Sequence, residues 1–189
     1  ASVFKIVTGA TLVDVASLTP DTRECYSGGE QRINASDLEP NPSRDRWCTT
    51  LGGAMGMSTN TVFARLATRH LKREDLEAKA RLLGFGQPLS FDVAVAPSQV
   101  ELPSDTLGFA RSAAGFVGTT LSPIHAAWLS ATIARGGEPV RPYIVNEVIE
   151  PTGKVSFEAR PPYAMKRALS AETAKAVTDM MDHTVSEGT

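Results

Sequence analysis

The chain has 189 residues, a net charge of −2, 42% hydrophobic residues and 21% charged residues. That balance excludes a disordered or coiled-coil protein, and the near-neutral charge argues against a general nucleic-acid or anionic-membrane binder. A chain this long buries roughly 70% of its unfolded surface and needs no metal or disulfide staple to fold. The best apolar stretch, Ile6–Leu18, is 13 residues long and contains Asp14, short of the roughly 18 residues that a membrane span requires.

The chain opens on Ala1-Ser2 without Met, and neither the basic segment nor the cleavage pattern of a signal peptide flanks its first apolar run. It closes on Ser186-Glu187-Gly188-Thr189, straight off a helical pattern. Such ends are those expected of a piece cut from a longer protein. From Ser2 to Leu18 only Lys5 and Asp14 are charged, which predicts a helix buried on most sides. Residues 21–48 hold both cysteines, Gly28-Gly29 and the pairs Glu39-Pro40 and Asn41-Pro42, a loop-rich excursion with one or two short strands. Three helices are predicted next, at about Thr49–Met57, Asn60–Leu71 and Arg73–Leu83, the last stopped by Gly84. The three prolines of 87–104 predict irregular chain. Asp105 caps a short helix to about Ala114, and Ser122-Pro123 starts another that Gly136-Gly137 stops. Ile144–Ile149 and Lys154–Phe157 flank Pro151-Thr152-Gly153 as a β-hairpin, and Ser170 opens a final helix to about Ser186.

Two clusters carry candidate chemistry. In Ser2-Val3-Phe4-Lys5 the serine and lysine lie nearly one turn apart, on the same helix face. Ser2 would sit at a helix N-terminus, where free N–H groups favour developing negative charge. Lys5, among Phe4, Ile6 and Val7, would have its pKa lowered by burial, so that it could take the serine proton. The plain alternative is that Ser2 caps the helix and Lys5 reaches water. With 15 Ser and 6 Lys, chance supplies about half of one such pair. Ser58-Thr59-Asn60 lies between two helices, where all three residues can act as caps. It also offers Ser58 as a second hydroxyl for proton relay and Asn60 as an amide for substrate.

Cys25 and Cys48 bracket the excursion and fit either a disulfide, worth about 3 kcal/mol and implying an oxidising compartment, or two free buried thiols. The histidines His70, His125 and His183 are scattered and no Cys-x-x-Cys occurs, so a metal site is not expected. Thr152-Gly153-Lys154 lacks the context of a phosphate loop, and Gly84-Phe85-Gly86 reads as a helix stop. Arg65, Arg69, Lys72 and Arg73 read as a solvated helix face, since acidic residues follow at once.

Taken together, these residues resemble the transpeptidase domain of penicillin-binding proteins. Ser2-Val3-Phe4-Lys5-Ile6-Val7-Thr8-Gly9-Ala10 is similar to the family's nucleophile helix, and the run from Gly56 to Ala67 to its second motif and the helix after it. Leu82 to Gly86, Ala114-Gly115, Leu121-Ser122-Pro123, Ile133 to Gly137 and the final helix resemble later family segments in the same order. The resemblance spans nearly all of the chain, with one departure. No Lys-Thr-Gly or Lys-Ser-Gly, the family's third motif, occurs in it.

The resemblance implies an α+β, mostly helical fold, the helical subdomain of the penicillin-binding protein and β-lactamase-like transpeptidase fold. Short β-hairpins accompany the helices, the central sheet is largely missing, and residues 1–189 form one partial domain. It implies catalytic Ser2, Lys5 and Ser58, substrate-binding Asn60, a disulfide candidate in Cys25 and Cys48, and no cofactor or metal. The implied reaction is D,D-transpeptidation of peptidoglycan stem peptides through an acyl-serine that β-lactams also form. It would take place in the bacterial periplasm or at the outer face of the cytoplasmic membrane, with cell-wall synthesis proteins as possible partners and no nucleic acid. The Ser2 N–H would be one oxyanion donor, and the other would come from the third-motif strand. The 189-residue chain alone is therefore expected to be essentially inactive. A β-lactamase or β-lactam sensor, or a catalytically idle cell-wall scaffold, are the alternatives. Without the sheet, part of helix 2–18 is expected to lie exposed and drive self-association.

Overall fold

The structure, a computed structural model, describes residues 2–29 and 32–188. The chain's two end residues and residues 30 and 31 of the excursion, which the sequence reading also covered, lie outside them. Helix α1 (Phe4–Ala16) is the axis of the molecule, and α4 (Asn60–His70), α5 (Arg73–Leu82), α6 (Thr106–Ala113) and α8 (Ala171–Ser186) pack around it. Every residue from Phe4 to Leu12 is buried, as an apolar pattern without a polar face requires. The expected exposed stretch of this helix is therefore confined to its ends, where Val3 and Val15 meet solvent. Neighbouring helices cover the rest. Asp14 is held by Lys79 of α5 and Thr173 of α8, which ties three helices at one point.

The helix starts follow local caps. Asp105 Oδ1 accepts from the Gly108 N–H at 2.7 Å, and Ser170 Oγ from the Thr173 N–H at 3.0 Å. Ser122 caps α7 (Pro123–Ala134), whose first residue is a proline that lacks only an N–H the first turn cannot use. Gly84 ends the α5 segment at φ +87°, a conformation that disfavours any residue with a Cβ.

Strands β1 (Arg23–Tyr26) and β2 (Trp47–Thr50) pair antiparallel with Cys25 opposite Cys48, and a disulfide joins the two. The helix expected from about Thr49 begins later. Thr49 and Thr50 pair with Glu24 and Arg23, and Thr50 Oγ1 then accepts from the Gly53 N–H at 3.0 Å to start α3 (Leu51–Gly56). A short helix, α2 (Ala35–Leu38), interrupts the excursion, where the sequence reading expected only loop and strand. A second hairpin, β3 (Glu147–Ile149) with β4 (Val155–Glu158), projects with Val148, Ile149, Val155 and Phe157 exposed. Among the described residues these two hairpins are the sheets, so the molecule is the mostly helical α+β unit expected.

The reading of Arg65, Arg69, Lys72 and Arg73 as one solvated face is overturned for its first member. Arg65 is fully buried, within a stretch of α4 whose residues Thr61 to Ala67 are all buried. Its guanidinium forms a bidentate pair with Asp45, at 2.7 and 3.1 Å. It also donates to the carbonyls of Cys25, Asp37 and Glu39. Arg69 grips Glu24 at 2.8 and 3.1 Å, while Lys72 and Arg73 are exposed. The physical reason is that the two-stranded hairpin and the one-turn helix α2 leave backbone carbonyls without ladder or helix partners, and a planar five-donor fork on the adjacent helix can satisfy several at once. The Arg65 guanidinium also holds the Asp45 carboxyl down to about 2.

Candidate active site

The α3–α4 corner sets the site. α3 lies close against α8 because Gly52 and Gly56 leave room. A Cβ on Gly52 would come within 2.7 Å of the His183 ring, and one on Gly56 within 2.7 Å of the His183 carbonyl oxygen. Past Met57 the chain turns at Ser58, which has φ +53°. For a residue with a Cβ this left-handed conformation costs on the order of 1 kcal/mol and occurs where surrounding structure imposes it. The turn lets the chain enter α4 with Asn60 as its first residue.

At that corner four groups converge on the start of α1. Lys5, 1% exposed, points its Nζ at Asn60 Oδ1 (2.7 Å), the Ala114 carbonyl (2.9 Å) and Ser2 Oγ (3.3 Å). Ser58 Oγ lies 3.2 Å from Ser2 Oγ. The Phe63 ring is 5.8 Å from the amine. No carboxylate forms an ion pair with Lys5 among the described residues; Asp14 of its own helix pairs with Lys79 and Asp179 of α8 with Lys175. Burial accordingly pulls the Lys5 pKa down to about 8. At pH 7 about a tenth of such an amine is neutral, against well under a thousandth for an ordinary lysine. The alternative in which Lys5 reaches water does not describe this side chain.

Ser2, Lys5 and Ser58 open on a pocket of about 400 Å³ whose other walls include Val3, Ile6, Met55, Met181 and Val185. A hollow of similar size, about 370 Å³, lies over Arg65 and Arg69 but holds no hydroxyl–amine pair. None of the three histidines lines the first pocket. His125 is enclosed by Phe85 and Trp128 with Nε2 2.6 Å from the Leu83 carbonyl, and burial lowers its pKa. The groups within hydrogen-bond distance of Ser2 Oγ among the described residues are the Lys5 amine and the Ser58 hydroxyl. The structure thus brings Ser2, Lys5, Ser58 and Asn60 into one constellation, and places Cys25 and Cys48 outside it, on the hairpin leading into α3. Sequence reasoning missed the Ala114 carbonyl. Its only trace was Gly115, the residue that stops α6.

The family described as "Penicillin binding protein transpeptidase domain" matches residues 1–189, so the chain belongs to the penicillin-binding protein transpeptidase family. It is 30% identical to the peptidoglycan D,D-transpeptidase PbpA of Mycobacterium tuberculosis over 186 residues, covering 95% of this chain and 37% of that protein. Its fold matches the crystal structure of PBPA from M. tuberculosis with a TM-score of 0.82 at 25% identity, over all of this chain and 43% of the other. A penicillin G acyl-enzyme complex of M. tuberculosis penicillin-binding protein A matches with a TM-score of 0.75 at 25% identity, over 98% of this chain and 43% of the other. The chain spans 29–37% of the length of the curated relatives it matches.

Proposed function

We propose that this chain carries the nucleophile and its proton-transfer groups for a serine D,D-transpeptidase that crosslinks peptidoglycan stem peptides. The observation that carries the reading is the Lys5 amine, buried without a carboxylate and 3.3 Å from the Ser2 hydroxyl. Ser2 Oγ attacks the penultimate carbonyl of a D-Ala-D-Ala terminus while its proton passes to neutral Lys5. The amide C–N bond breaks as Ser58 delivers its proton to the departing D-alanine amine and takes one in return from the Lys5 ammonium, which leaves Lys5 neutral again. Asn60 keeps the Lys5 amine in place and binds the acyl chain. An amine of a second stem peptide then takes the acyl group and frees Ser2. A β-lactam acylates the same hydroxyl, and its ring-opened leaving group stays attached.

Relatives named as peptidoglycan D,D-transpeptidases, and a related protein captured as a penicillin G acyl-enzyme, support this reading. The disulfide fits action outside the cytoplasm, at the cell wall, where thiols are not kept reduced. Among the described residues no helix is long and apolar enough to cross a membrane.

Fluorescent penicillin tests the proposal. In a protein carrying this chain together with a Lys-Thr-Gly strand, it labels Ser2 and the adduct persists. Ser2→Ala abolishes the label, and labelling unchanged by Ser2→Ala would sink the assignment. Rapid loss of the adduct would instead mark a β-lactamase. The 189-residue chain alone has no Lys-Thr-Gly and labels about 10²-fold or more slowly, the usual effect of one missing oxyanion donor.

A further inference from the structure

Helix α6 ends in an arrangement that leaves two carbonyls for another helix to satisfy. Gly115, at φ +77°, reverses the chain. Its N–H then donates to the Ser112 carbonyl at 2.8 Å, and the Phe116 N–H to that of Arg111 at 2.9 Å. This double closure satisfies the carbonyls deeper in the last turn and passes over those of Ala113 and Ala114. Both are taken up by α1. Thr8 Oγ1 donates to the Ala113 carbonyl at 2.7 Å, and Lys5 Nζ to the Ala114 carbonyl at 2.9 Å. Lys5 and Thr8 are three residues apart, on one face of α1. Thr8 is fully buried and lies outside the pocket lining.

We propose that Thr8 is a positioning residue for the Lys5 amine, acting through the C-terminal carbonyls of α6. Its hydroxyl pins the Ala113 carbonyl, and one peptide further on the Ala114 carbonyl is thereby held on Nζ. Without that hydroxyl a buried carbonyl loses its donor, the end of α6 moves to find another, and the amine loses an acceptor while staying buried. No carboxylate of α4, α5, α6 or α8 forms an ion pair with Nζ among the described residues, so the neutral acceptors Asn60, Ala114 and Ser2, with the Phe63 ring, are what oppose desolvation of the ammonium. The functional meaning rests on Lys5 as the general base, but the placement of the amine does not.

Thr11 supplies the internal control. It is equally buried, but its hydroxyl bonds the Val7 carbonyl of its own helix at 2.7 Å, whereas the Thr8 hydroxyl, 3.4 Å from the Phe4 carbonyl of α1, makes its shorter bond across to α6. The experiment is an NMR titration of the lysine ¹³Cε resonances of the protein, with Lys5 assigned by its disappearance in Lys5→Met. Thr8→Val, which keeps shape and removes the hydroxyl, lowers the Lys5 midpoint by about half a pH unit or more. Thr8→Ser restores it, and Thr11→Val leaves it unchanged. Gly115→Ala disturbs the same terminus from its other side and shifts the midpoint in the same direction; if Thr8→Val does not fold, Thr8→Ala, which also removes the hydroxyl, carries the test. A midpoint unchanged or raised in the folded variants overturns the proposal, as does an equal shift in Thr11→Val. The titration reads the amine whether or not Lys5 is the base. Penicillin labelling of Lys5→Met reads that role separately.

Discussion

Among the described residues a lysine and an arginine are buried, Arg65 at 0% and Lys5 at 1% exposure, and the fold treats them in opposite ways. Arg65 is given a bidentate carboxylate and three backbone carbonyls, which hold the 21–48 excursion to α4. Lys5 is given one amide oxygen, one carbonyl and a hydroxyl, and no carboxylate. A guanidinium cannot release its proton in a protein, whereas a lysine deprived of counter-charge can. Burial alone therefore does not distinguish a structural cation from a catalytic candidate. The charge of the partners does.

The sharpest way to break this contrast is to exchange chemistry at the structural cation. Arg65→Lys keeps the charge but loses the fork, stranding backbone carbonyls and one side of Asp45. A loss of about 3–4 kcal/mol in urea unfolding is expected, and a loss under 1 kcal/mol, the scale of an exposed ion pair, would contradict the assigned role. The wild type should also lose stability in acid. Asp45 has its carboxyl held down to about 2, so its contribution is present above the ordinary carboxylate value and disappears as pH falls from about 4 towards 2.

The catalytic candidate predicts a slope at the other end of the pH scale. With the Lys5 pKa lowered from 10.5 to about 8, the unfolded chain binds more protons than the folded one between those values. Stability attributable to Lys5 therefore rises with pH across that window, by up to about 3 kcal/mol, and is flat below it. Lys5→Met should remove this alkaline slope and leave the acid one intact. A variant with the same alkaline slope would place the effect elsewhere.

The smallest effect concerns Ser58. Its left-handed backbone means that Ser58→Gly relieves strain, and a gain of about 0.5 kcal/mol in thermal unfolding is expected alongside loss of the hydroxyl facing Ser2. Destabilisation by Ser58→Gly would show that the hydroxyl also stabilises the fold.

What was readable in the sequence divides along the same line. Caps at Asp105, Ser122 and Ser170 act over three residues, so the helix starts could be located from neighbours alone. The Ser2–Lys5 spacing is local too, and the all-apolar pattern of α1 announced its burial. Arg65 was misread because its partner, Asp45, is 20 residues earlier in a loop whose path no local pattern specifies. The acids just after Arg73 seemed to supply counter-charge instead. The Ala114 carbonyl was invisible for a different reason. Any residue type supplies a carbonyl, and only the turn at Gly115 aims this one at Lys5.

The span of the site in the chain has a consequence for how the protein is made. The groups that hold Lys5 lie 55 and 109 residues beyond it. During synthesis, which proceeds from the N-terminus, the Ser2 hydroxyl and Lys5 amine emerge before Asn60 and α6. They wait for Asn60 and then for α6 before the amine is enclosed. Until then Lys5 is an ordinary protonated lysine in water, and Ser2 an ordinary alcohol. The Ser2–Lys5 pair is thus made well before the groups that enclose its amine, and the constellation is complete only once α6 has docked on α1.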